Sequence, residues 1–337
     1  MTTAKTENGI SAAITMPSKL TKSVVGGKAR GRIIIGAKVL ISVGVIFAIG
    51  GRFEMGRLIA SLHHASIPHL VLSVLLAILA VPVVGKRWGL LAEMFLIRIP
   101  TALASRATFA GLFVGQVLPG AIGADVVRGW MVWNMGLRNN MVIASIVADR
   151  IVSLFAVGVM ILMSMPMLMR YLPQSINIWI MWASIAGLLS ALIVYAFFKS
   201  ARLIATRRTG VALARRLFPR EINVTTTIVL VSLVLAVVGH MLIILSAYFL
   251  SLAIGVNSSL WMWLLVMPII ILVTAIPISI NGWGVREFAM VHLWALFGVA
   301  QADAFLISIC MGIVAIVSSL PGFWFWFEKR ERNSAPI

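Results

Sequence analysis

The chain has 337 residues, of which 61% are hydrophobic and only 11% charged, and its mean hydropathy is +1.04. A soluble domain carries about 45–50% apolar and about 25% charged residues, so this composition excludes a water-solvated globule and makes lipid the solvent for much of the surface. The 28 Lys and Arg against 10 Asp and Glu give +18, but with no zinc spacing and no basic, aromatic-rich soluble segment, no nucleic-acid partner is expected, and the charge reads as basic loops on the cytoplasmic side of a membrane.

Residues 1–32 are polar and basic, with Lys5, Lys19, Lys22, Lys28, Arg30 and Arg32 against Glu7. No small-residue cleavage site follows a short apolar run, so this reads as a cytoplasmic tail and not as a removed signal peptide. A membrane domain is expected over 33–327 and a short polar tail over 328–337. Spanning helices need about 20 apolar residues, and the runs 33–50, 68–85, 141–168, 177–197, 224–254 and 303–326 qualify. Lys38, within the first run, is expected to snorkel to the interface. The mixed stretch 52–64 reads as an interfacial helix, and its His63 and His64 read as surface residues, since nothing nearby completes a metal site. The segment 199–220 holds seven Lys or Arg and no acid, which places it and the N-terminus on the cytoplasmic side. Lys86, Arg87, Arg128 and Arg138 then fall on that side too, which makes 89–127 a hairpin entering and leaving from one face. A matching hairpin is expected at 259–286, and the short piece 287–299 leaves the side of the C-terminus open. The fold class is all-α: a polytopic integral membrane helical bundle with two re-entrant or broken segments, compatible with an inverted repeat.

The two breaks read GQVLPGAIGADVVRG, Gly115 to Gly129, and AIPISINGWGVREFA, Ala275 to Ala289. In both, Ile follows Pro by three and Arg follows it by nine, pairing Pro119 with Arg128 and Pro277 with Arg286. Non-helical backbone survives at membrane depth only where protein or a water-filled cavity satisfies it. Each Pro should stop one half-helix and let another begin near the charges, where unpaired N–H groups favour an anion. Gly120, Gly123, Gly282 and Gly284, with Asn281, would let the backbone turn. Two such breaks in corresponding halves point to a transporter's central site.

These motifs resemble the transmembrane, flippase-like domain of bacterial lysylphosphatidylglycerol synthases and their stand-alone relatives. The resemblance rests on LPGAIGADVVR (118–128), Asp149-Arg150, IPISINGWGVRE (276–287) and, less specifically, Arg87-Trp88, and it extends over about residues 35 to 325. Gly123-Ala124-Asp125 stands where the family has Gly-Gly-Asp, Gln116 where Asn is common, and Asn281 and Trp283 where Gly and Leu are usual; these departures bear on substrate preference more than on fold. The resemblance implies a bacterial cytoplasmic membrane protein that moves a phospholipid, aminoacylated lipid or lipid-linked molecule between leaflets. With the chain ending at Ile337, the soluble aminoacyl-transferring domain of the larger members is expected to be absent.

Charges at the bilayer centre cost at least about 2.5–3.5 kcal/mol and face inward when kept. Two readings of Asp125, Asp149 and Glu287, each with an Arg close by in sequence, stay open and are compatible. In one they lock the broken helices by ion pairing and gate them; in the other Arg128, Arg150 and Arg286 hold a lipid phosphate through their planar forks. Asp149 and Arg150 point about 100° apart on a helix, so each needs a partner elsewhere: Arg150 toward the first break, Asp149 toward Arg128 or Arg286. His240 reads as a hydrogen-bonded packing residue and Phe323–Phe327 as an interfacial aromatic belt. The lone Cys310 excludes an intramolecular disulfide and a cysteine metal cluster, and no Walker motif appears. No cofactor or metal and no catalytic residue is expected. The partners expected are anionic or phosphate-bearing membrane lipids, with a second copy or a lipid-biosynthesis protein left open. The competing functions are an accessory subunit of a lipid-modifying complex and a membrane-embedded headgroup transferase.

Overall fold

The structure, a computed structural model, describes residues 40, 42–51, 64–116, 122–133, 139–171, 178, 181–182, 185, 189, 225–276, 279 and 281–334. Among these lie α1 (Ile67–Glu93), α2 (Thr101–Gly115), α3 (Ile122–Trp133), α4 (Asn139–Leu168), α5 (Thr226–Ala253), α6 (Leu260–Thr274), α7 (Val285–Ala295), α8 (Gln301–Ser319) and α9 (Pro321–Ser334). Residues 42–50 are also helical, and no strand occurs among the described residues. Among the described residues, four stretches are long and apolar enough to cross a membrane: α1, Met141–Leu168 of α4, α5, and the run Gln301–Phe327 that joins α8 to α9. The chain is a multi-pass helical membrane protein. Lys38, the expected interfacial stretch up to His63, Pro119, Gly120, Pro277, the basic segment 199–220 and most of the expected span 177–197 lie outside the described residues.

α1 and α5 form the central antiparallel pair. Ser66 N–H donates to Ala253 O at 2.7 Å, Ser246 Oγ donates to Ser73 O at 2.8 Å, and Gly239 sits beside Val83 and Val84. Both helices stop in the same way. Leu96 and Gly255 take the left-handed conformation (φ 60° and 81°), and one residue later Ile97 and Val256 N–H reach back to Ala92 and Ser251 O, the bond that closes a Schellman turn. Each turn then feeds a 15-residue helix, α2 or α6. One offset relates Leu96 to Gly255, Ile97 to Val256 and Thr101 to Leu260. A break and a short helix of 12 residues (α3) or 11 residues (α7) follow in each half. Equivalent helices that run antiparallel are related by a two-fold axis across the bundle, which makes the two halves an inverted repeat.

The short helices are the hairpins. At 1.5 Å per residue α2 and α3 reach roughly 22 and 18 Å, short of a hydrocarbon core of about 30 Å. α2 and α3 pack closely because Gly111 and Gly115 face Ala124; a Cβ on Gly111 would come within 2.5 Å of the Ala124 carbonyl oxygen. The hairpin α2–α3 starts from the face where α1 ends, and α6–α7 from the opposite face, where α5 ends. Their tips meet: Asn281 Nδ2 donates to Gln116 Oε1 at 2.7 Å, and Gln116 Nε2 donates to Ala315 O of α8 at 3.3 Å.

Three boundaries differ from the sequence reading. The span expected to stop at 85 continues to Glu93, so Arg87 is a buried helical residue and not a loop cation. The first hairpin accordingly begins at Thr101 rather than 89. The stretch 287–299 is mostly α7, the return arm of the second hairpin, and α8 then runs back across the bundle. The aromatic residues of α9 are also not simply a belt. Phe323, Phe325 and Trp326 pack on Phe113, Phe109 and Trp130 at 5.5, 6.1 and 5.3 Å between ring centres, clamping the first hairpin, while Trp324 is 70% exposed.

Tip-to-tip contact predicts that Gln116→Cys and Asn281→Cys, in a Cys310→Ser background, form a disulfide under mild oxidation in membranes. Electrophoresis after proteolysis between the two sites reads this directly, and absence of the cross-link would show that the hairpins do not meet.

Candidate functional site

The charges of the first half form one chain across three helices. On α4, Asp149 Oδ1 accepts from Arg87 Nε of α1 at 2.7 Å, and its Oδ2 lies 2.9 Å from Arg128 Nη2 of α3. The same Nη2 lies 2.9 Å from Asp125 Oδ1, one turn earlier on α3, and Asp125 Oδ2 accepts from Arg150 Nε at 2.6 Å. Arg128 Nη2 sits between two carboxylates but off their hydrogen-bonding directions, so its contacts are ionic by distance rather than directed bonds. Trp88 completes the cluster: its ring lies 4.9 Å beneath the Arg128 guanidinium, and its Nε1 donates to Ser145 Oγ at 3.1 Å. Asp149 is 2% exposed and Arg128 4%, so this network is insulated, whereas the Arg150 side chain is 45% exposed.

The second half solves the same problem locally. Asn281, Gly282 and Gly284 take positive φ (47°, 81° and 85°) in the turn before α7. Glycine is required at 284 on two counts, since a Cβ there would also come within 3.2 Å of Ser42 backbone atoms. The turn lets Glu287 fold back as a cap, its Oε2 accepting from Gly284 N–H at 2.5 Å. Oε1 accepts from Arg286 Nη2 at 2.9 Å and from Ser308 Oγ of α8 at 2.9 Å, and Arg286 Nε donates to Ser308 Oγ at 3.1 Å. Arg286 lies over the Trp283 ring at 4.8 Å, and Glu287 is fully enclosed.

A cavity of about 360 Å³ opens between α1 and α5 at the level of the hairpin tips. Small residues make the room, among them Ala77, Ala80, Ala236 and Gly239. Arg87 and Arg286 line it, from opposite halves of the repeat, together with Gln116, Asn281 and His240. His240 Nε2 lies 3.2 Å from Ser153 Oγ and 3.3 Å from Ser153 O, so it is both a packing residue and part of the wall. Among the described residues no group of three His, Cys, Asp or Glu side chains converges as a metal site.

Of the charged residues singled out from sequence, Arg286 lines the cavity, whereas Arg128 and Arg150 belong to the ion-pair chain with Asp125 and Asp149 and are not on its wall. Asp149 meets Arg128, and Arg150 meets the first break through Asp125. Glu287 stands behind Arg286. Asn281 is at the tip contact, Gly282 and Gly284 in the second turn, and Gly123 in the first turn of α3. Sequence reasoning missed Arg87 as a wall residue; a cation followed by Trp at the end of an apolar run was the available signal. Gln116 was noted only as a departure from a family pattern, and Ser308 carried no signal at all.

Removing one partner of a buried ion pair costs about 3–5 kcal/mol. Asp149→Asn strips the carboxylate from two enclosed arginines, so a large drop in thermal stability in detergent is expected. Arg150→Ala, at a half-exposed position, should lower it much less. Equal losses in the two variants would contradict the network described.

No curated protein matches the chain. Residues 35–322 match the family described as lysylphosphatidylglycerol synthase TM region. With two broken hairpins meeting at a cavity walled by arginines, and with most of its length inside that match, the chain belongs to the lysylphosphatidylglycerol synthase TM region family.

Proposed function

We propose that this protein is a flippase-like transporter that moves a phosphate-bearing lipid between leaflets and has no catalytic chemistry of its own. The observation that carries this reading is the pair of guanidinium groups, Arg87 and Arg286, on the wall of an otherwise largely apolar cavity at the meeting point of two re-entrant tips. Arg87 spends only Nε on Asp149, which leaves both terminal nitrogens without a hydrogen bond among the described residues, and Arg286 likewise keeps Nη1. A planar fork with unspent donors suits a phosphate oxygen pair. The apolar remainder of the wall suits the first carbons of lipid chains, and a cavity of this size takes a headgroup while the chains stay in the bilayer. Arg128 and Arg150 support the site from behind by holding Asp149 and Asp125. Asp125, Asp149 and Glu287 are all tied into ion pairs, which favours transport over headgroup transfer, since a transferase needs an acid or base free to move a proton.

The basic segment 199–220 favours a cytoplasmic location for the face that carries the ends of α1 and α3. The cytoplasmic membrane of a bacterium is then the place of action, with membrane lipid as the partner.

Reconstituted in liposomes with acyl-labelled phospholipid, the protein should accelerate transbilayer movement, and mass spectrometry should show the headgroup unchanged. One charge-assisted contact is worth about 1.5–3 kcal/mol, so Arg286→Gln and Arg87→Gln should each slow movement roughly 10- to 100-fold. Arg286→Lys, which keeps the charge and spares Glu287 its loss of a partner, should retain more activity than Arg286→Gln. Unchanged movement in folded Arg87→Gln and Arg286→Gln would remove the role given to this cavity, and a modified headgroup would favour the transferase.

A further inference from the structure

Resting on the transport reading above, we infer that the cavity selects a net-anionic lipid phosphate with an uncharged, hydroxyl-bearing headgroup and discriminates against aminoacylated lipids, whose headgroups carry an ammonium. The inference comes from what the wall holds and what it withholds. Among the described residues its charged members are Arg87 and Arg286, and neither Asp nor Glu nor Lys is present. The two carboxylates nearest these arginines stand behind them. Asp149 is 2% exposed and is held by Arg87 and Arg128; Glu287 is fully enclosed and is held by Arg286, Ser308 and the Gly284 N–H. An entering ammonium would meet guanidinium groups and could reach a carboxylate only by displacing an arginine from a closed ion pair.

The neutral polar groups on the wall match hydroxyls instead. Among the described residues Asn281 Oδ1 and His240 Nδ1 have no hydrogen-bond partner. Thr108 Oγ1 donates to Ala104 O and keeps its lone pairs. These groups can accept from or donate to a polyol without a counter-charge. Arg87 and Arg286 come from opposite halves of the repeat, so the wall offers a phosphate guanidinium donors from both halves and offers a hydroxyl-bearing headgroup amide and imidazole. Like charges brought together in a partly desolvated site lower affinity by a large factor, and discrimination of at least about tenfold is expected.

Three acyl-labelled lipids compared in the same proteoliposomes test this: phosphatidylglycerol (net anionic), phosphatidylethanolamine (zwitterionic) and lysyl-phosphatidylglycerol (net cationic). Movement of phosphatidylglycerol should exceed that of the lysyl lipid at least tenfold, with phosphatidylethanolamine between them; a lysyl lipid moved equally fast or faster overturns the inference. If none is moved, the transport reading fails and the selectivity is decided by binding. Dihexanoyl phosphatidylglycerol should raise the melting temperature of the detergent-solubilised full chain, and the dihexanoyl lysyl lipid should not; equal shifts overturn the inference. Glycerol 3-phosphate tests for a free anion as the ligand: a shift as large as that of the short-chain lipid would overturn the lipid assignment. Gln116→Glu, which adds a carboxylate to the wall, should narrow the phosphatidylglycerol-to-lysyl ratio at least threefold. An unchanged ratio in that folded variant would show that these residues do not set selectivity.

Discussion

The carboxylate of Asp149 is the fixed point of the first half. It lies where water is excluded, and it receives Arg87 from α1 and Arg128 from α3 while itself riding on α4. An arginine left alone at that depth would cost at least about 2.5–3.5 kcal/mol, so two guanidinium groups converging on one acid fix the mutual register of three helices more tightly than apolar packing can. In lipid, apolar side chains gain little by meeting each other; an unmet charge has no such indifference. Once Asp149 faces inward, Arg150 must point about 100° away on the same helix. There it closes the chain through Asp125 and leaves part of its length exposed.

The second half carries its counter-charge differently, and the difference decides which arginine can meet a ligand. Arg128 shares its Nη2 between two aspartates from two helices, which consumes it. Arg286 is answered by the next residue in sequence, an arrangement that works only because Gly284 turns the chain and lets Glu287 fold back as the cap of its own helix. Ser308 bridges the two from α8. In each half a tryptophan ring lies about 4.8–4.9 Å beneath the guanidinium, holding the group by its face while its edge does the bonding. The repeat is therefore symmetric in backbone and asymmetric in charge.

Much of this was legible before any coordinates. Length and hydropathy announce the spans, and prolines and glycines beside Asp125, Arg128, Arg286 and Glu287 mark both breaks, because nothing but function or pairing keeps such residues in hydrocarbon. The family motifs add the expectation of a flippase-like domain. What could not be read was decided by partners distant in sequence. Hydropathy alone ends α1 at 85, because Lys86 and Arg87 read as a border, whereas Asp149, 62 positions away, allows Arg87 to stay in the helix. The stretch 287–299 has the composition of a stunted span; it becomes a hairpin arm only through its packing on α8. Phe323, Phe325 and Trp326 have the composition of an interfacial belt, and only the nearness of α2 and α3 lets them pack on Phe113, Phe109 and Trp130, with Phe323 still half exposed. The repeat shows in sequence only at the breaks, in the shared Pro and Arg register; its other mark is a backbone feature, the left-handed residue at Leu96 and Gly255, that leucine and glycine share without resembling each other.

An inverted repeat whose tips meet has a consequence for passage across the bilayer. A hairpin of 15 residues and 12 residues blocks only the part of the thickness it occupies, and its partner blocks the remainder from the other side. Among the described residues the two tips touch through the Asn281–Gln116 contact, beside the cavity that small residues of α1 and α5 line. A polar group held at that level has one hairpin toward each face; ion pairs tie the first hairpin to α4, whereas the second keeps its ion pair within α7 and reaches α8 through Ser308. Under the proposed transport function, displacing one hairpin would open one side while the other hairpin still covers the opposite side. For the transport function proposed above, the two hairpins would then be gates of unequal strength, since one is tied through Asp149 to two other helices and the other largely to itself.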